Sequence, residues 1–329
     1  LPATTSGYGS RALVPDRHVI ALDLGGTKLA GGLVAADGTV GARLEGATEQ
    51  SDQDALVRQI EDSIAALEAP SVVALGIGIP SLIDQKAGRV GSSVNVPLEG
   101  IDLRDRLEER FGRPVVLEND ANAAAVAEHR LGAGRGCDHM VMLTLGTGIG
   151  GGLILNGALY RGAIGAAAEL GHMTVDIRSE LPCEGRFCPG FGHLEGLASG
   201  RAAARRAGET ADAEPDGSLA RARAQGQELT AELVVELAEA GEPDALELLD
   251  SIGFDLGIGI ASYVNIFNPE VVVVGGGFGV AGDLLLEPAR RVVAERALPT
   301  ARDSVRIVEA KLGPDAGLIG AGLLGFDIS

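Results

Sequence analysis

HVIALDLGGTKLAGGLVAADGTV, residues 18–40, reads as a strand, a glycine turn, a second strand and a tight turn at Asp37-Gly38. The same order returns in HMVMLTLGTGIGGGLILNGALY, residues 139–160, which closes on a turn at Asn156-Gly157. These two segments, centred on Gly25 and Gly146, are the nearest thing to an internal repeat in the chain. Between them lie a helical pattern over 54–68, a buried strand at 71–80, and a charged amphipathic helix over 103–112 that Gly112 ends. A short strand, PVVLEND (114–120), then runs into the helix ANAAAVAEHRLG (121–132). Strands alternating with helices predict an α/β fold.

Beyond the second hairpin, residues 182–192 are rich in Cys, Pro and Gly, and 212–217 read as a polar loop. A long helix is expected from Ala245 to about Phe267. VVVV (271–274), a glycine cluster, a helix over 284–298, the strand VRIVEA (305–310) and the apolar helix AGLIGAGLLGF (316–326) complete the pattern. The chain has 329 residues, which at roughly 150 per domain predicts two domains. Aromatic residues are 3% and Trp is absent, so Ala, Val, Leu and Ile must build the core. A formal net charge of -19 would repel a phosphate backbone and argues against a nucleic-acid partner. Three cysteines, Cys137, Cys183 and Cys188, do not make a secreted disulfide framework. No apolar run reaches the length of a membrane span, and residues 1–17 read as a flexible tail without a signal-peptide pattern. The expected compartment is the cytoplasm.

Glycines in a strand-turn-strand let backbone N–H groups come close to an anion. In the first turn, Asp23 adds a carboxylate able to hold Mg²⁺ through water, followed by Gly25, Gly26 and the hydroxyl of Thr27. Gly146, Thr147 and Gly148 make a second such turn. Either alone is most simply a hairpin; the matched pair predicts a clamp for a triphosphate across a cleft. Residues 146–151 also fit G-x-G-x-x-G, but that fingerprint must open a helix, and here it opens a strand. Residues 277–282 fit it with a strand before and a helix after, yet too little chain follows for a dinucleotide domain. That turn suits an adenosine as well. No P-loop sequence is present.

Taken together, these segments resemble the ROK family of sugar kinases and repressors, and most of all its glucokinases. The resemblance is carried by Asp23-Leu24-Gly25-Gly26-Thr27-Lys28, Glu118-Asn119-Asp120-Ala121-Asn122, LGTGIGGG, Glu169-Leu170-Gly171-His172-Met173, His193-Leu194-Glu195 with Ala198-Ser199-Gly200, and Phe267-Asn268-Pro269-Glu270 before VVVVGGG. They keep the family's order from residue 18 to near the end. The resemblance implies the actin-like, ribonuclease-H-like fold of two α/β domains, here 18–120 with 315–329 and 121–314, with ATP and a hexose in the cleft. It implies a homodimer; no nucleic acid and no membrane are expected as partners, on the charge and hydropathy read above. It places ATP and Mg²⁺ at Asp23, Gly25, Gly26, Thr27, Lys28, Gly146, Thr147, Gly148, Gly275, Gly276 and Gly277.

By the same resemblance Asp120 aligns with the catalytic base, although by itself it reads as a helix N-cap. Phosphoryl transfer asks mainly for positioning and charge stabilisation, and a carboxylate can take the hydroxyl proton late. Asn119, Glu169, His172 and Glu195 align with sugar ligands. Ser81 stands where many relatives have Gly, and Asn95 is kept while a downstream Trp is missing, so the exact hexose stays open. The family's Zn²⁺ motif, His followed by C-x-C-G-x-x-G-C, is altered here. His172 is followed by Cys183, Cys188 and His193, with Arg186 at the first Cys position. Four N/S ligands would suit tetrahedral Zn²⁺; the other reading is a metal-free loop. Phosphorylation of glucose at its 6-hydroxyl is the expected activity. The alternatives are a kinase of N-acetylmannosamine, N-acetylglucosamine or kanosamine, a polyphosphate-driven kinase, and a sugar-responsive repressor. The residues before Asp23 do not read as the helix-turn-helix that a repressor needs.

Overall fold

The computed structural model describes residues 17–93, 96–181, 188 and 190–329. Apart from Arg17, the expected tail lies outside them, as do Asn95, Cys183 and Arg186. The first half holds β1 (His18–Leu24), β2 (Lys28–Ala35), β3 (Val40–Ala47), α1 (Gln53–Leu67), β4 (Val72–Ile79), β5 (Ser81–Asp84), β6 (Arg89–Ser93), α2 (Leu103–Phe111), β7 (Val115–Asn119) and α3 (Asp120–Arg130). The second sheet begins with β8 (Met140–Leu145), β9 (Ile149–Leu155) and β10 (Ala158–Leu159). Five helices follow: α4 (Leu194–Ala198), α5 (Gly200–Ala213), α6 (Ser218–Ala224), α7 (Ala231–Glu239) and α8 (Pro243–Phe267). Then come β11 (Val271–Gly275), α9 (Asp283–Arg296), α10 (Pro299–Arg302), β12 (Arg306–Glu309) and α11 (Ala316–Asp327).

The two large sheets have the same topology. One runs β3-β2-β1-β4-β7 and the other β10-β9-β8-β11-β12. In each, two antiparallel strands flank a hairpin strand that continues into a parallel set. The repeat seen around Gly25 and Gly146 is thus a repeat of whole sheets. Helix α11 packs on β1, β2 and β4, α3 packs on β8 and β9, and the two helices pack on each other. Their sequences permit this closeness. The α3 face is Ala121, Ala123, Ala124, Ala125 and Ala127, all buried. On α11, a Cβ at Gly320 would stand 1.8 Å from the Ala123 carbonyl oxygen, so only glycine lets the two backbones touch there.

The chain passes from the first large sheet to the second through α3, and from β12 back to the first through α11. Glu128, fully buried in α3, binds the two passages together. Its Oε2 accepts from the Ala133 N–H at 2.7 Å, and its Oε1 accepts from the N–H groups of Lys311 and Leu312 at 2.8 and 2.7 Å. A buried carboxylate is tolerated when its lone pairs are filled in this way. No helix among the described residues is long and apolar enough to cross a membrane.

Candidate active site

Parallel strands collect their following loops at one edge, where ligands of α/β sheets bind. The register puts Asp23 beside Gly78, and Gly78 beside Glu118, at the carboxyl ends of β1, β4 and β7. In the second sheet Thr144 pairs with Gly275, so the turns after β8 and β11 leave side by side. There Gly276, at φ +86°, lies against Leu145; a Cβ would stand 2.3 Å from the Leu145 carbonyl oxygen. The helix after this turn starts only at Asp283, behind a 3₁₀ turn over Phe278–Ala281, which is not the helix start a dinucleotide fingerprint requires.

The two hairpin turns are built alike. The Gly25 N–H donates to the Lys28 carbonyl at 2.8 Å, and the Gly146 N–H to that of Gly148 at 2.9 Å. Thr27 and Thr147 are exposed at their tips. Each turn is also held from outside. The Thr48 hydroxyl donates to the Gly25 carbonyl at 2.7 Å, and the Gly200 N–H to the Gly146 carbonyl at 2.8 Å. Lys28 is exposed and paired with Glu45.

Asp120 is the first residue of α3, and its role as N-cap falls to its neighbour. The Asn119 side chain accepts from the Asn122 N–H at 3.1 Å, while Asp120 Oδ1 accepts from the Ala121 N–H at 2.8 Å. Loss of solvation at this position raises the Asp120 carboxyl above the ordinary range, and the charge of Glu169 adds to it. Asp23 is pushed up to about 7, first by burial, then by the charges of Asp120 and Asp315, with Lys28 acting the other way. Its carboxylate is wedged under α11: a Cβ at Gly317 would stand 2.5 Å from Oδ2. Asp315 itself is held by a two-pronged pair with Arg43 at 2.9 and 2.7 Å.

Ser81, Asn119 and Glu169 line one crevice together with Leu82, Asn122 and Gly151. Burial also raises the Glu169 carboxyl; His172 opposes this and Glu195 adds to it. Glu169 Oε2 lies 3.8 Å from His172 Nε2 across the 3₁₀ turn Leu170–His172. Glu195 is the second residue of α4, and its Oε2 accepts from the Ile149 N–H at 2.8 Å. It lies over the second turn: a Cβ on Gly148 would stand 2.3 Å from that oxygen. The expected sugar residue and the expected phosphate turn are therefore in direct contact.

His172, Cys188 and His193 present ligand atoms within 4.8 Å of one another. Cys188 Sγ is 3.2 Å from His193 Nδ1, and the two rings meet edge to face at 5.5 Å. Burial, then His172, lowers the His193 pKa, which favours the neutral imidazole that a metal takes; Glu195 opposes this. Two imidazoles and a thiol fit Zn²⁺, with a fourth ligand still to be supplied.

Three supporting residues were given no role by the sequence reading, where Glu118 stood only as part of a motif and Arg161 and Tyr263 were not singled out. Glu118, 2% exposed, accepts from the Asn119 N–H at 3.0 Å, the Asn122 side-chain amide at 3.1 Å and Arg161 Nε at 2.7 Å. A charge inside the apolar run VVLEN was the available signal for Glu118; nothing marked Arg161. Tyr263, buried in α8, donates its hydroxyl to the Leu170 carbonyl and so fixes the turn between Glu169 and His172.

A family model described as "ROK family" matches residues 19–327. The glucokinase of Halalkalibacterium halodurans is 36% identical over 316 residues, covering 94% of this chain and 95% of that one. That of Thermotoga maritima is 37% identical over 314 residues, covering 94% and 97%. Among solved structures, a ROK family glucokinase from Streptomyces griseus in complex with glucose and AMPPNP superposes with a TM-score of 0.84. It is 36% identical, with 94% of this chain and 99% of that chain covered. The fold is accordingly the two-domain actin-like ATPase fold, and by sequence and by structure the chain belongs to the ROK family.

Proposed function

We propose that this protein is a sugar kinase that transfers the γ-phosphate of ATP to the 6-hydroxyl of glucose. The supporting observation is the position of Asp120 between the two sites: Gly78 touches both it and Asp23 of the phosphate turn, where an added Cβ would stand 3.6 Å from Asp120 Cα and 3.4 Å from Asp23 Oδ1, and the charge of Glu169 reaches it from the crevice. The glucokinase relatives and the glucose and AMPPNP complex of the Streptomyces griseus enzyme favour glucose and ATP.

In this reading Asn119, Glu169, His172 and Glu195 orient the sugar, with Ser81 at the crevice wall. Asp120 accepts the proton of the attacking hydroxyl, and its raised pKa brings its basicity nearer to working pH. Backbone N–H groups and the Thr27 and Thr147 hydroxyls hold the phosphates, and Gly275-Gly276-Gly277 admits the adenosine. Asp23 would hold Mg²⁺ through water, and the ion would supply charge neutralisation to the phosphates. The two domains are 18–120 with 315–329 and 121–314, in a cytoplasmic homodimer. A coupled assay across glucose, N-acetylmannosamine, N-acetylglucosamine and kanosamine, with ATP or polyphosphate, tests this. Glucose with ATP is expected to give the highest kcat/KM. A preference for an amino-sugar, or no ATP-dependent turnover, contradicts it.

Gly148→Val is expected to act on the sugar as much as on ATP. The new side chain displaces Glu195 and strips the Ile149 N–H of its acceptor. Losing a hydrogen bond to a charged group costs about 1.5–3 kcal/mol, so the glucose KM should rise by roughly tenfold or more. A rise confined to the ATP KM would show that Glu195 takes no part in holding the sugar.

His172, Cys188 and His193 are proposed to hold a structural Zn²⁺, with Cys183 as fourth ligand. The metal would brace the segment between Glu169 and Glu195 and perform no chemistry. Elemental analysis is expected to find close to one zinc per chain. Cys188→Ala should then raise the glucose KM and lower the melting temperature while the ATP KM stays put. Zinc-free protein from zinc-supplemented cells refutes the site.

A further inference from the structure

The sugar crevice has two walls from separate stretches of the chain. One is the end of β7 and start of α3, with Asn119 and Asn122; the other is the segment 160–169, ending in Glu169. That segment is anchored to the second half at both ends. The Tyr160 N–H donates to the Leu153 carbonyl in β9, and Tyr263 holds the Leu170 carbonyl. Between these anchors it leaves its own half and lies on the first. Gly165, at φ +84°, rests against β5 so closely that a Cβ would stand 2.3 Å from the Ile83 carbonyl oxygen. Four residues earlier, Arg161 reaches Glu118, the penultimate residue of β7, at 2.7 Å.

The backbone shows that this placement is imposed. Ala168, directly before Glu169, has φ +68°, a left-handed conformation disfavoured for any residue with a Cβ. Strain of this kind persists only where the surroundings over-determine it. We propose that Arg161 is a positioning residue for the sugar: its pair with Glu118 fastens the segment bearing Glu169 to the strand end bearing Asn119 and Asp120. A single buried carboxylate then sets both walls. Through Oε1 Glu118 fixes the Asn119 backbone and the Asn122 amide, and through Oε2 it fixes Arg161. The Asn122 amide is turned so that Nδ2 donates to Glu118, while its buried Oδ1 has no partner among the described residues. Removing Arg161 leaves the Glu118 carboxylate buried without its counter-charge and frees the Glu169 wall to drift.

This inference rests on reading the crevice as the sugar site, so its test needs one readout that does not. Arg161→Met is the first variant, because the Arg161 side chain is partly exposed and its loss should spare the fold. Since a 1 Å misplacement can cost as much as ~10²-fold in rate, the glucose KM is expected to rise by about tenfold or more, with the ATP KM within about twofold of wild type. Arg161→Lys keeps the charge but not the planar fork and should recover part of the loss. Glu118→Gln should resemble Arg161→Met, and the double variant should be little worse than either single one. Independently of any substrate, hydrogen exchange in Arg161→Met should quicken both in 161–170 and in 115–122. Unchanged glucose kinetics in an active Arg161→Met enzyme, or unchanged exchange in both segments, overturns the proposal. A wild-type enzyme that does not use glucose refutes the functional reading instead, and the exchange experiment still decides the role of Arg161.

Discussion

Asp120→Asn is expected to fold as the wild type does and to lose at least ~10²-fold in kcat, the lower end of what general-base catalysis contributes. The substitution is close to isosteric, and the amide oxygen can still accept from the Ala121 N–H, so the start of α3 is kept. What disappears is the acceptor for the hydroxyl proton. In the wild type, burial and, after it, the charge of Glu169 hold Asp120 protonated to a higher pH than a free aspartate. The acid limb of kcat/KM should therefore lie above the ordinary aspartate range and should be missing from the residual activity of the variant. An Asp120→Asn enzyme with near-wild-type kcat would remove Asp120 from the chemistry.

Asp23→Asn should separate activity from stability. The Asp23 carboxyl is pushed up to about 7 from an ordinary value of 3.8, so between these pH values the folded chain binds a proton that the unfolded chain has lost. Stability from this group is therefore fully present below about pH 4 and is lost as pH rises through about 7. Above that, metal-free wild type carries an ionised carboxylate wedged under α11 beside Asp120 and Asp315, and Asn carries none. Metal-free Asp23→Asn should melt higher than wild type at pH 8, and the gap should close toward pH 4. Its kcat/KM for ATP should fall by ~10²-fold or more, the scale on which a single electrostatic stabiliser of a transition state acts. Equal melting temperatures at pH 8 would mean that Asp23 is not strained by its neighbours; undiminished turnover would remove it from the phosphate site.

Much of the fold was legible because its signals are local. The two glycine hairpins, the Gly112 stop and the small-residue helices α3 and α11 each follow from short-range chemistry, and the second hairpin repeats the first. Strand β3 was not legible: its residues are largely exposed at a sheet edge and carry no alternating pattern. Nor were α5, α6 and α7 read, although the buried residues Ala203, Ala207 and Ala211 of α5 and Ala231, Val234, Val235 and Ala238 of α7 do recur at helical spacing; the loop expected over 212–217 begins only after Ala213. The long helix starts at Pro243, two residues early, because proline is well suited to a first turn.

The site divides in the same way. Asp23, Asn119, Asp120 and the glycine turns stand in contiguous motifs, which is why a resemblance could point to them. Of their supports, Glu118 stands in such a motif, but the partners that tie it and Leu170 in place do not. Glu118 and Arg161 are 43 residues apart, and Leu170 and Tyr263 are 93 apart; no spacing rule joins such pairs before the chain is folded. The N-cap reading of Asp120 missed by one residue, since Asn119 caps equally well and leaves the following carboxylate free for other work.

The central claim is that phosphate passes from ATP to one hydroxyl of glucose, and the product itself answers it. Wild-type protein incubated with Mg²⁺-ATP and glucose should yield ADP and a single sugar phosphate whose ³¹P resonance is split by the two protons of carbon 6. A resonance split by the one anomeric proton, or ADP released with inorganic phosphate alone, would contradict the account.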